Sequence, residues 1–175
     1  MELIILVDEQ DREIGVEEKF AGHRNGGRLH RAFSIFVFNQ RGEMLIQQRS
    51  ARKYHFRGKW TNACCGHPRP GEVLADAAHR RLQEELGFDT PLRELFSFVY
   101  SAEDSESGLT EREFDHVLVG RFDGVPRPDP DEVSGLRWIT RGQLERELAE
   151  QPESYSSWFR QALVRLEALD AWPRD

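Results

Sequence analysis

GHPRPGEVLADAAHRRLQEELGF, residues 66–88, is the stretch on which the reading of this chain turns. A lead rich in proline and glycine runs into a segment whose apolar residues Leu74, Ala77, Ala78 and Leu82 recur at helical spacing. The spacing predicts a helix from Val73 to Leu86, stopped by Gly87 just past its last turn. Along it Arg80 and Glu84 are four apart, as are Arg81 and Glu85, so each pair shares a face. Such a face carries carboxylates suited to Mg²⁺ beside a guanidinium suited to phosphate oxygens. The same spacing also describes a solvated helix laced by i,i+4 ion pairs, and spacing alone favours that plainer reading.

Around this stretch the composition sets bounds. A length of 175 residues fits one domain spanning 1–175, and a hydrophobic content of 38% with four Trp and eleven Phe supplies a core. The formal charge of −7 gives no long-range pull toward nucleic acid or an anionic membrane, so neither is expected as a partner. An anionic substrate would have to meet locally placed cations. No stretch reaches the length of a membrane span. The run Leu3 to Val7 is too short for a signal-peptide core and reads as a strand. The two cysteines are neighbours, Cys64 and Cys65, which disfavours a mutual disulfide; two free thiols in a reducing compartment, the cytoplasm, are expected.

Strands are expected at Leu3 to Val7 and Ile14 to Val16, as a hairpin about a polar turn, and at Ala32 to Phe38 and Met44 to Gln48. A basic and aromatic loop follows from Ser50 to Trp60. Further strands are expected at Leu95 to Tyr100, Phe114 to Phe122 and Leu136 to Ile139. Thr140 with Gln143 resembles a capping box opening a helix to Ala149, and Ser154 to Ala168 reads as a final amphipathic helix. The order predicts a mixed α/β (α+β) architecture.

A second constellation surrounds the first. His23 and His30 flank Gly26-Gly27, and His67 follows Cys65-Gly66. Glu111 and Glu113 alternate on one face of a strand. Three imidazoles and two carboxylates would make a mixed nitrogen and oxygen shell for one divalent ion. Taken singly, each is more ordinarily a surface or satisfied core residue.

Residues 66–88 resemble the Nudix box, G-x5-E-x7-R-E-U-x-E-E-x-G-U, at every fixed position but one: Arg81 stands where the box has its first Glu. That exchange puts a cation near the metal and argues against ordinary Nudix hydrolysis. Three further motifs bring the resemblance closer. His23 and His30 lead into a strand, residues 60–68 read WTNACCGHP, and residues 111–116 read EREFDH. Together they resemble the type 1 isopentenyl-diphosphate isomerases over roughly Leu3 to Trp158. The resemblance implies a Nudix-type fold, a mixed β-sheet flanked by helices, with extra N-terminal strands and a C-terminal helix. It implies an isomerase that moves a double bond in a five-carbon diphosphate, a small-molecule substrate, and a monomer is expected. His23, His30, His67, Glu111 and Glu113 would bind one ion, Mn²⁺, Zn²⁺ or Mg²⁺. Glu85 and the Cys65 carbonyl would hold a Mg²⁺ bridging to the diphosphate. Cys65 and Glu113 would be the acid–base pair, assisted by Tyr100. Lys19, Arg49, Lys53 and Arg81 would contact the phosphates, and Trp158 would close the pocket, although core packing explains it as well. Cys64 reads as packing. A Nudix pyrophosphatase leaves Cys65, the histidines and Arg81 unexplained, and a noncatalytic metal-stabilised module leaves the thiol unexplained.

Overall fold

The computed structural model describes residues 2–172. Its spine is β3 (His30–Phe38), whose sequence HRAFSIFVF is apolar on both faces from Ala32 onward. A strand of that composition is covered from both sides, and here it is. Phe36 and Phe38 join one buried cluster, Phe33, Ile35 and Val37 the other. The first cluster is closed by α4 (Ser157–Ala168) through Phe159, Ala162, Leu163 and Leu166. The second is closed by α2 (Leu74–Leu86) through Ala77, Ala78, Leu82 and Leu86.

Among the described residues, nine strands form one sheet. β1 (Leu3–Val7) and β2 (Glu13–Glu18) make the predicted hairpin, and β1 pairs onward with β3. On its other side β3 runs antiparallel to β4 (Met44–Arg49), which carries β5 (Trp60–Thr61) and β9 (Val133–Ile139). β3 also pairs antiparallel with β6 (Cys64–Gly66) and parallel with β8 (Thr110–Arg121), itself paired with β7 (Leu92–Glu103). The expected mixed sheet with helices on both faces is therefore present. So are the N-terminal strands, the C-terminal helix, the stop at Gly87, and the capping box of α3 (Arg141–Glu150). No helix among the described residues is long and apolar enough to cross a membrane.

Two short segments carried no expectation from the sequence, and one boundary moves. The one-turn helix α1 (Lys19–Gly22) arises because the Glu18 carboxylate accepts from the Phe20 and Ala21 amides. Residues 60–66 fold as β5 and β6 because their main chains find β4 and β3. The final helix starts at Ser157 rather than Ser154: a 3₁₀ turn at Pro152–Ser154 ends as the Ser156 amide donates to the Trp60 carbonyl at 2.9 Å. That tether sets Trp158 in the first turn of α4.

Candidate active site

Pairing with β3 assembles the chemistry. Its parallel register sets Glu113 beside His30 and Asp115 beside Ala32. Its antiparallel register sets Cys65 beside Ser34. Side chains alternate along each strand, so His30, Ser34, Cys65, Glu111, Glu113 and Asp115 emerge on one face, the α4 side. Tyr100 comes from β7, directly opposite Glu113.

His23 is brought to the same place by a tight turn against β8. The His23 carbonyl accepts from the Thr110 amide at 2.8 Å. Gly27 has φ +71°, and a Cβ there would lie 2.7 Å from the Thr110 carbonyl oxygen, so the turn needs glycine.

The five predicted metal ligands converge: one donor atom from each of His23, His30, His67, Glu111 and Glu113 lies within 4.8 Å of the others. His23 Nδ1 meets the Lys19 carbonyl oxygen at 2.5 Å and His30 Nδ1 that of Arg28 at 2.7 Å. An Nδ1–H donated to each carbonyl leaves both Nε2 atoms aimed inward. There His30 Nε2 faces His67 Nε2 at 3.2 Å, while His67 Nε2 lies 2.9 Å from Glu113 Oε1. Imidazole nitrogens and carboxylate oxygens crowded so closely fit a divalent cation at their centre. Burial works against charge on His23, but the hydrogen bond and charge of Glu111 prevail and raise it to about 9. Burial lowers His67 to about 4, which keeps a neutral imidazole available as a ligand.

Beside this cluster Cys65 Sγ lies 3.3 Å from Asn62 Oδ1 and 3.6 Å from Ser34 Oγ. Both Asn62 amide hydrogens are engaged by the Ile35 and Cys64 carbonyls, which turns Oδ1 toward the thiol. Burial and the charge of Asp115 push the thiol up to about 12, so it holds its proton at neutral pH. The Tyr100 hydroxyl donates to Glu113 Oε2. Cys64, by contrast, is fully buried in the α2-side cluster, the packing role expected of it.

The Nudix-box residues stand on the other side of β6. Glu85 accepts from Gln47 Nε2 at 3.0 Å and pairs with Arg81, and it is not among the converging five. A Cβ on Gly66 would lie 2.8 Å from Phe33 Cζ and 3.0 Å from Arg81 Cγ, so glycine permits β6 to lie this close to α2. Cys65-Gly66-His67 thus links the two halves of the site.

One cleft receives Lys19, Arg49, Lys53 and Arg81 together with Cys65, Tyr100, Glu113 and Trp158. Trp158 is both core and wall: it is buried, packs edge-on to Phe56 with ring centroids 5.1 Å apart, and lies under the Arg49 guanidinium.

Sequence reasoning passed over several neighbours. His55 is buried, with Nε2 against Glu111 Oε1 and Nδ1 without a hydrogen-bond partner among the described residues. Tyr54 stacks on it with ring centroids 4.1 Å apart. Asp115 is fully buried, and burial raises its carboxyl well above the usual range. The basic and aromatic character of the Ser50 to Trp60 loop was the one available signal for Tyr54 and His55. The Glu-x-Glu-x-Asp alternation, which puts all three carboxylates on one face, was the signal for Asp115. Glu132, which pairs with both Lys53 and Arg81, had none.

The NUDIX domain matches residues 28–160, so the class that fold and box define is the Nudix class. A crystal structure of a Deinococcus radiodurans protein aligns with a TM-score of 0.71 at 28% identity, over 85% of this chain and 90% of that one. Closer likeness lies within one branch of the class. An isopentenyl-diphosphate Delta-isomerase of Halorhodospira halophila is 46% identical over 98% of both chains. Another, of Burkholderia multivorans, is 49% identical over 98% of this chain and 97% of its own. The chain belongs to the isopentenyl-diphosphate Delta-isomerase family.

Proposed function

We propose that this chain converts isopentenyl diphosphate to dimethylallyl diphosphate in the cytoplasm, feeding isoprenoid biosynthesis. The observation that carries the reading is a proton-bearing thiol, Cys65, set beside the His/Glu cluster in a cleft that four cationic side chains also enter. The substrate needs a proton added to its terminal methylene carbon and another removed from the carbon on the far side of the branch point. Between the two events the branch carbon bears the positive charge. Cys65 and Glu113 are the pair that delivers and removes these protons, and Tyr100 holds Glu113 Oε2 in place. No proton is gained or lost overall. The faces of Trp158 and Tyr100, with ring centroids 6.4 Å apart, offer negative quadrupole density to the transient cation. Burial of Glu113 and Tyr100 keeps water from capturing it.

Lys19, Arg49, Lys53 and Arg81 bind the diphosphate, which is the handle and not the reacting group. His23, His30, His67, Glu111 and Glu113 would hold one ion, Mn²⁺, Zn²⁺ or Mg²⁺, and Glu85 with the Cys65 carbonyl a Mg²⁺ that meets the diphosphate. When bound, the first ion tunes the proton affinity of Glu113 and the second neutralises phosphate charge.

The reading is tested by incubating the protein with Mg²⁺ and isopentenyl diphosphate and looking for the acid-labile allylic product. Turnover is expected, and Cys65→Ala should reduce it about 10²- to 10⁴-fold by the usual worth of acid–base groups, with an unchanged circular dichroism spectrum. Phosphate release from nucleoside diphosphates without allylic product would instead assign a hydrolase.

A further inference from the structure

Two of the four cations in the cleft are already joined by one carboxylate. Glu132 Oε2 pairs with Lys53 Nζ, and its Oε1 lies 3.2 Å from Arg81 Nη2. The two cations come from separate segments, Lys53 from the loop after β4 and Arg81 from the middle of α2. One anion thus spans them with an oxygen apiece, as a phosphate group would.

The position of Glu132 is fixed by main-chain bonds. Its carbonyl accepts from the Ser50 amide at 2.9 Å, and its own amide donates to the Asp129 carbonyl at 3.0 Å. The Asp129 amide in turn donates to the Glu85 carbonyl at 2.8 Å near the end of α2. The backbone is therefore tied to both segments it bridges. The side chain, about one-quarter exposed, retains a path toward solvent. Lys19 carries a looser version of the same arrangement, paired at 2.9 Å with Glu2, whose side chain is 58% exposed.

We propose that Glu132 is a resident counter-anion of the diphosphate subsite: it occupies Lys53 and Arg81 until a diphosphate displaces it, and it thereby weakens the hold on substrate and product alike. Its carboxylate ties down two donors that a diphosphate would use, and its charge, held against two of the cleft's cations, repels the incoming anion. A positioning role alone would be served by an uncharged acceptor at this place, since Gln could still take a hydrogen bond from either cation. The charge marks Glu132 as a competitor. The inference rests on the diphosphate reading of the cleft.

The test is calorimetric titration of inorganic pyrophosphate with Mg²⁺ into the wild type, Glu132→Gln and a control, Asp131→Asn, alongside isomerase kinetics. Asp131 neighbours Glu132 but pairs with Arg52 on the surface, the two side chains being 65% and 74% exposed. Glu132→Gln should bind pyrophosphate roughly three- to tenfold more tightly, the effect of removing one charge several ångströms away in a partly screened cleft, with a matching fall in KM. Asp131→Asn should leave both unchanged. Equal or weaker binding by Glu132→Gln would overturn the proposal, as would the same gain in Asp131→Asn. A wild type that neither binds pyrophosphate nor isomerises would remove the diphosphate reading itself. A wild type that does both, with Glu132→Gln unaltered, would remove only the role of Glu132.

Discussion

At Arg81 a guanidinium stands where the Nudix box has a carboxylate, and the surrounding contacts show what the exchange does. Its Nη1 lies 2.7 Å from Glu84, and its Nη2 reaches Glu85 and Glu132, so a fixed cation faces the cleft beside Gly66. Desolvation opposes its charge, but Glu85 and its other acidic neighbours more than offset this and keep it protonated. Arg81→Glu should raise KM for isopentenyl diphosphate by about 10- to 100-fold, the worth of a charge-assisted phosphate contact, and lower kcat much less. An unaltered KM in steady-state assays would remove Arg81 from the phosphate subsite. Cys65 makes the complementary point. Its neighbour Cys64 is the same residue type one position away, yet it faces the α2-side core while Cys65 faces the chemistry, because adjacent residues of β6 point to opposite faces.

Among the elements, α2 and the loop that leads into it act as one rigid arm. Glu72 accepts from Arg80 Nε at 2.7 Å and Nη2 at 2.8 Å, and from the Arg69 amide at 2.8 Å, so the loop after His67 is buttoned to the helix. The Arg80 bonds, aided by the Arg69 amide, hold the Glu72 carboxyl at about 2, against an ordinary 4.5. A carboxyl depressed in the folded state stabilises it above its unfolded pKa, and that stability is lost as pH falls through the folded value. Glu72 therefore contributes fully above about pH 4.5 and nothing below about pH 2. Glu72→Gln should cost about 1 kcal/mol at neutral pH, a figure kept small because the pair is partly solvated. It should also flatten the acid limb of stability. Urea unfolding of both proteins at several pH values from 7 to 2 checks this, and parallel curves would refute it.

For the molecule as a whole, the His/Glu cluster joins parts distant in sequence: the turn before β3, β3 itself, the residue after β6, and β8. An ion held there binds the folded chain and not the unfolded one, so it should stabilise by about 2.7 kcal/mol at a hundredfold excess over its Kd. For a chain of this length that is roughly 5–10 °C in Tm. A melting scan before and after chelation, then with Mn²⁺, Zn²⁺ or Mg²⁺ restored, measures it. Identical melts would show that these five donors hold no ion. Much of this was legible beforehand. Helical spacing fixed α2, the apolar run fixed β3, and period-two alternation put Glu111 and Glu113 on one face, since those signals are local and repeat along the chain. The motifs around Cys65 and His67 pointed, through resemblance, to the five residues whose donor atoms converge. What residue order by itself left open was which face each strand turned to which helix, and hence that the converging His/Glu cluster lies on the α4 side while Glu85 lies on the α2 side. The roles of His55, Asp115 and Glu132 also waited on tertiary structure. Each depends on a partner 51 to 81 positions away, such as Glu111, Ser34, Lys53 or Arg81, brought near only by strand register and loop packing. The stretch from Gly66 to Phe88 marked the Nudix class by itself; the fold decided that a thiol and a buried carboxylate would stand together in one cleft, because pairing to β3 is what brings β6 and β8 to one face.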